Sequence, residues 1–245
     1  MRAGALSLAV PSLYVGAMAW LWLALAGLPT GVALEVIARR LVSPAGEEGT
    51  PADEGVGDGA FIDPSKRAGA AQLLLMVAAT AALFGIAGWR FDRAGDLAMV
   101  AAYISVLVLC AATDLLSFKV PNAVTYPAIL GALALGFAMP GASAREVLAG
   151  GAVAGGILLV PALLTGGRGF GIGDAKLAAF AGLALGLPNV AAALLFTALL
   201  GGMVATMLLV TGVCRRHEPI PYAPFVSAGA LIALLWRGPA FAQLS

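Results

Sequence analysis

Leu97-Ala-Met-Val-Ala-Ala-Tyr-Ile-Ser-Val-Leu-Val-Leu-Cys-Ala-Ala-Thr113-Asp114 is the stretch that decides how this chain folds: an unbroken apolar run that ends on a carboxylate. A helix crossing a bilayer needs about 20 mainly apolar residues, and this run falls only slightly short of that. Similar charge-free stretches run from Ala3 to Leu34, Ala68 to Trp89, Val120 to Ala144, Val147 to Gly167, Leu177 to Cys214 and Pro219 to Trp236. Leu177 to Cys214 is long enough for two crossings. Gly186-Leu187-Pro188-Asn189 breaks it, because proline lacks the donor that continues a helix and biases the preceding residue towards extended geometry. None of these runs alternates polar with apolar residues, as a transmembrane β-strand would. The expected fold is therefore all-α: a polytopic membrane helical bundle of about eight transmembrane helices.

Composition agrees. Of the 245 residues 61% are hydrophobic and 11% charged, and a mean hydropathy of +0.97 lies far above that of a domain with a solvated surface. The net charge of +1, without a basic run interleaved with aromatics, implies no nucleic-acid partner. Charge placement says more. Counting loops alternately, one side collects Arg39, Arg40, Lys66, Arg67, Lys119, Arg168, Arg215 and Arg216, and the other Arg2, Arg90, Arg93, Arg145 and Arg237. The richer side belongs in the cytoplasm, so the N-terminus is expected outside. Ala24-Leu25-Ala26 before Gly27 mimics a signal-peptidase site. The uncharged run is nevertheless longer than the usual ~7–15-residue signal core, and a retained first helix is expected.

Three segments follow: a first helix over 1–40, a linker over 41–69, and a membrane-embedded core over 70–245. The linker carries Glu47, Glu48, Asp53, Glu54, Asp58 and Asp63 among glycines and prolines. It reads as a flexible acidic loop that buries too little apolar surface to offset ordering entropy, or as an attractor for a basic substrate segment. Gly150-Gly151-Ala-Val-Ala-Gly155-Gly156 reads as a helix-packing face, since small side chains let backbones approach in lipid. Cys110 and Cys214 lack companions for a metal site or disulfide framework. His217, the only histidine, reads as a solvated loop residue. No metal or cofactor is expected.

Asp174, in Gly169-Phe-Gly171-Ile-Gly173-Asp174-Ala-Lys176, is the second carboxylate at the edge of an apolar run. Ionisable groups there are costly and by default indicate a pathway or an active site. Asp114 leaves the third crossing and Asp174 enters the sixth. Two crossings separate them and return the chain to the same face, so the two carboxylates are expected to meet near the cytoplasmic boundary. A close pair shares one proton. Such a pair can hydrolyse a peptide bond, the ionised member activating water and the protonated member assisting the carbonyl. Gly169, Gly171 and Gly173 are expected to supply unusual backbone angles and room for a substrate backbone. A plain glycine turn opening a helix, with Asp174 at its positive end, stays open on spacing alone. Lys176 reads as a snorkelling anchor or as a bias on the ionisation of Asp174. A small transporter or proton pathway using the same carboxylates is the alternative from another class.

Asp114 followed by Pro121-Asn122, and then Gly171-Ile-Gly173-Asp174-Ala-Lys176, resembles the signature pair of the type IV prepilin peptidases, a branch of the GxGD aspartic membrane proteases. Pro219-Ile-Pro-Tyr222-Ala-Pro224-Phe225 is similar to that family's proline-rich segment before the last helix, and Gly27 to Arg40 is a weaker echo of its first-helix motif. The resemblance implies cleavage of the short basic leader of prepilin-like membrane proteins at the cytoplasmic face, typically after a glycine. It implies Asp114 and Asp174 as the catalytic pair, with Gly171, Gly173, Lys176, Pro121, Asn122 and Pro224 binding substrate or supporting the site. Larger members of the family also methylate the new N-terminus, and many hold zinc through four cysteines in the first cytoplasmic loop. Residues 41–69 contain no cysteine, so no zinc is expected there and the expectation of methylation loses its support. A related membrane protease with a different substrate, or none, is a further alternative.

Overall fold

A computed structural model of the chain describes residues 12–42, 64–91, 93–138, 143–164, 171–212 and 220–240. The acidic linker apart from its ends, Gly169, Cys214 and His217 lie outside the described residues, as do the readings made of them. Among the described residues there are eight helices and no strand: α1 Ser12–Val42, α2 Pro64–Arg90, α3 Ala94–Ser117, α4 Asn122–Ala138, α5 Ala144–Leu164, α6 Ile172–Leu185, α7 Asn189–Val210 and α8 Ala223–Arg237. Five of them, α1, α2, α3, α5 and α7, are long and apolar enough to cross a membrane. The protein is a multi-pass helical bundle, as its apolar runs predict. The other three are shorter, with 17 residues in α4, 14 in α6 and 15 in α8. At 1.5 Å per residue α6 is roughly 21 Å long, well below the ~30 Å hydrocarbon thickness.

Proline and glycine set these lengths. Pro121 stands immediately before α4, and its carbonyl accepts the Thr125 amide at 3.1 Å. Pro224 occupies the first turn of α8, where a missing N–H costs nothing. Gly186 closes α6 with φ 63° and donates its N–H to the Gly182 carbonyl at 2.8 Å. Past that break, Asn189 opens α7 and donates to the Gly238 carbonyl at 3.2 Å, tying the start of α7 to the end of α8.

The short helix α6 is the centre of the bundle. Leu177, Ala178, Phe180, Ala181 and Ala184 are all buried, and Phe180 meets the Tyr103 ring of α3 edge-on, with centroids 5.6 Å apart. Its closest neighbour is α5, which it meets through glycine. A Cβ built on Gly150 would fall on the Gly182 carbonyl oxygen, and one on Gly182 on the Gly150 carbonyl oxygen. Gly151 and Gly155 face Leu183 and Ala179 of the same helix, whereas Gly156 faces open space. The expected packing face is thus real for three of its four glycines, and its partner is the helix that carries Asp174.

Outside this centre, α1 packs against α2 and α3, α7 against α8, and α8 also against α3. Gly27 and Gly31 of α1 sit against the α2 backbone at Ala81 and Val77. Buried hydroxyls turn back onto their own helices, as Thr80 does to the Met76 carbonyl at 2.7 Å and Thr197 to that of Ala193 at 2.8 Å. This satisfies polar groups where lipid offers no partner. Ser227 instead reaches across, donating to the Leu107 carbonyl of α3 at 2.9 Å. That bond helps lay α8 along α3.

Candidate active site

Asp114 lies in the last turn of α3 and is 4% exposed. The helix ends just beyond it at Phe118, whose N–H bonds the Asp114 carbonyl at 2.8 Å and whose backbone is left-handed, with φ 55° and ψ 31°. A bulky residue rarely adopts that region, which costs roughly 1–2 kcal/mol without glycine. Replacing Phe118 by Asn, which tolerates the conformation far better, is expected to raise stability by several tenths to about 1 kcal/mol. Thermal unfolding in detergent measures this, and an unchanged or lowered midpoint would show that the Phe118 ring returns more than its backbone costs.

The Asp114 carboxylate is anchored from the other end of the chain. Its Oδ2 accepts the N–H of Ala223 at 3.0 Å. Ala223 is the first residue of α8, so this is one of the helix-start donors that find no partner inside the helix, and the positive end of the helix dipole favours a carboxylate there. Pro224, next in line, has no such donor to offer. It starts the helix sharply and leaves the Ala223 N–H for Asp114.

Asp174 sits in the first turn of α6 and is 7% exposed. Its Oδ2 accepts the N–H of Gly171 at 3.0 Å, the carboxylate half of a capping box. It is also within electrostatic reach of Asp114. Both carboxylates line one cavity of about 320 Å³, walled by Phe118, Lys119, Val120 and Asn122 on one side and by Gly171, Gly173 and Lys176 on the other. The turn after α3 and the start of α6 therefore bring the two aspartates to the same space.

The supporting residues divide. Asn122 and Lys176 are joined directly, the ammonium donating to Asn122 Oδ1 at 2.8 Å while lying 4.7 Å from the centre of the Tyr126 ring. Lys176 therefore joins α6 to α4. Gly171 has φ −78° and ψ 148°, ordinary extended angles, and Gly173 lies within α6 without positive φ. The expectation of unusual backbone angles fails at both. Close approach accounts for Gly173, where a Cβ would come 3.0 Å from that of Val120. Pro121 and Pro224 do not line this cavity. They begin the helices that shape it.

Several residues at the site went unread in the sequence. Ala223 acts through its backbone and carries no side-chain signal. Tyr222 lay within the proline-rich segment; its ring meets Phe225 edge-on at 5.9 Å and abuts Gly201 of α7. Burial raises the Tyr222 phenol above its ordinary value and the Asp174 carboxylate raises it further, which places Tyr222 beside the site. Glu35 of α1 is 1% exposed and pairs with Arg39 at 2.7 Å, but it does not line the cavity.

Comparison with known proteins points the same way. Residues 101–206 match the model of the type IV leader peptidase family. The chain is similar to the prepilin leader peptidase/N-methyltransferase of Bacillus subtilis, 34% identical over 157 residues, covering 64% of this chain and 63% of the relative. It is also similar to the proteins of that name from Aeromonas hydrophila, 33% identical over 56% of this chain and 49% of the relative, and Burkholderia pseudomallei, 30% identical over 69% and 54%. Each match thus spans less than two thirds of the relative's own length. No solved structure matches the chain.

Proposed function

We propose that the chain, whose residues 101–206 match the model of the type IV leader peptidase family, is a membrane aspartic endopeptidase that cleaves the leader from prepilin-like precursors. The observation that carries the reading is the shared cavity, in which Asp114 and Asp174 each hold a backbone N–H and face a common space. The pair works with one proton between its two members. The ionised carboxylate takes a proton from a water molecule as its oxygen attacks the scissile carbonyl carbon. The protonated one hydrogen-bonds the carbonyl oxygen as charge develops there. Collapse of the tetrahedral intermediate breaks the C–N bond, a proton passes to the leaving amine, and the pair returns to its one-proton state. The N–H donors from Ala223 and Gly171 hold both carboxylates in place while charge shifts between them.

Likeness to bacterial relatives supports an inner-membrane location, and loop charges support an N-terminus outside with this cavity on the cytoplasmic side. Residues 70–245 supply the catalytic pair. Most of α1 falls within residues 1–40, and it packs on α2 and α3. Methylation of the product is no part of the proposal.

Purified protein in lipid nanodiscs, incubated with a panel of prepilin-like precursors, is expected to release a leader and a shortened product by cut at one bond, read by mass spectrometry. Precursors left intact, together with solute or proton flux in liposomes, would replace the peptidase by the transport alternative. Transport needs polar groups spread through the depth of the membrane, whereas both aspartates open into one cavity between the end of α3 and the start of α6.

A further inference from the structure

Next to the cavity of the aspartates lies a second one, also of about 320 Å³. The two share Lys119, Val120 and Asn122 as a common wall. The far side of the second cavity is made by Leu41 and Val42, the last residues of α1, and its floor includes Thr113, the neighbour of Asp114. We propose that this second cavity is a specificity subsite of the peptidase, taking an apolar side chain of the substrate a few residues from the scissile bond and rejecting a basic one. The proposal rests on the peptidase reading above.

Its chemistry follows from what lines it. Leu41, Val42 and Val120 present apolar surface. The hydroxyls on the floor are already engaged, with Thr113 donating to the Leu109 and Cys110 carbonyls at 3.1 and 3.0 Å and Ser117 to that of Thr113 at 2.8 Å. Asn122 Oδ1 is held by Lys176. Among the described residues Lys119 is the only charged side chain in the lining, and its charge is positive. A like charge brought beside it is penalised, which is how a site selects by exclusion. Apolar walls with engaged hydroxyls favour an aliphatic or aromatic side chain.

Geometry supplies the link to cleavage. A substrate held extended advances roughly 3.3 Å per residue and turns successive side chains to opposite sides. With its scissile carbonyl between the aspartates, such a chain passes over Val120 within a few residues and sends one side chain into the neighbouring space. Gly173, whose Cβ would crowd Val120, keeps that partition from being pushed outward. Leu41 and Val42 lie outside residues 101–206, the family match. Substrate preference is therefore set partly by a helix that the catalytic motifs do not include.

The test scans a precursor that the wild-type protein cleaves, placing Ala, Leu, Phe, Asp and Lys in turn at each of the three positions on either side of the cut and measuring kcat/KM. At one position Leu and Phe are expected to exceed Lys by at least about tenfold, in the range a hydrophobic pocket provides. Val42→Trp, which fills the cavity, is expected to lower the Leu/Ala ratio at that position alone by about tenfold. Lys119→Glu is expected to reverse the order of Asp and Lys there. Variants that slow every substrate by the same factor, or a scan without a position that excludes Lys, would overturn the subsite while leaving the peptidase reading intact. A wild-type protein that cleaves no precursor would remove the peptidase reading itself.

Discussion

Asp114→Asn and Asp174→Asn are each expected to reduce precursor cleavage by at least about a thousandfold, the upper range for loss of a positioned acid or base. Combining them should cost little more, because residues that act as a unit are not additive. Asn keeps the size of Asp and an oxygen that can accept the Ala223 or Gly171 N–H, so insertion and thermal unfolding should stay near those of the parent protein. Rates come from gel or mass-spectrometric time courses on detergent-solubilised protein. Cleavage within tenfold of the parent by either variant would remove that residue from the catalytic pair. The pH profile gives a second check. At low pH both carboxylates are protonated and no base remains; at high pH both are ionised and no donor remains. Activity should therefore fall on either side of a single maximum.

Gly182→Leu should be the most damaging substitution away from the cavity. Even a single added Cβ at this position lands on the Gly150 carbonyl oxygen, and backbone in a helix interior cannot move aside alone. The two helices must separate, an overpacking cost of about 3 kcal/mol, and α6 carries Asp174 away with it. The expected result is a large drop in unfolding temperature with cleavage lost in proportion. Gly156→Ala is the control, since nothing lies within 4 Å of the added carbon and alanine favours the helix. Equal effects from the two substitutions would mean that the α5–α6 contact does not hold the site together.

The parts legible in the sequence are those written in local pattern. Apolar runs located the helices, the Gly186-Leu-Pro188 break split the longest run into α6 and α7, and counting crossings put Asp114 and Asp174 on one face. Illegible were the contacts made at long range through atoms that no pattern specifies. Lys176 finds Asn122 across 54 positions, a partner that a reading of its own helix, as a lipid-boundary anchor or a bias on Asp174, could not name. Gly171 resembled a glycine chosen for its torsion angles, although its role is to donate a backbone N–H to Asp174. The Phe118 backbone carries the opposite lesson: a left-handed residue stands where composition offered no glycine to suggest one.

The bond from Ala223 to Asp114 joins residues 109 positions apart, and this has a consequence for how the protein is made. During synthesis α3 enters the bilayer long before α8 emerges from the ribosome. Until α8 docks, Asp114 lacks its anchoring N–H and the Tyr222 side of the site is missing. A nascent chain with α3 and α6 in place thus still holds Asp114 without its anchor, and the proposed catalytic pair reaches its final geometry only when α8 inserts.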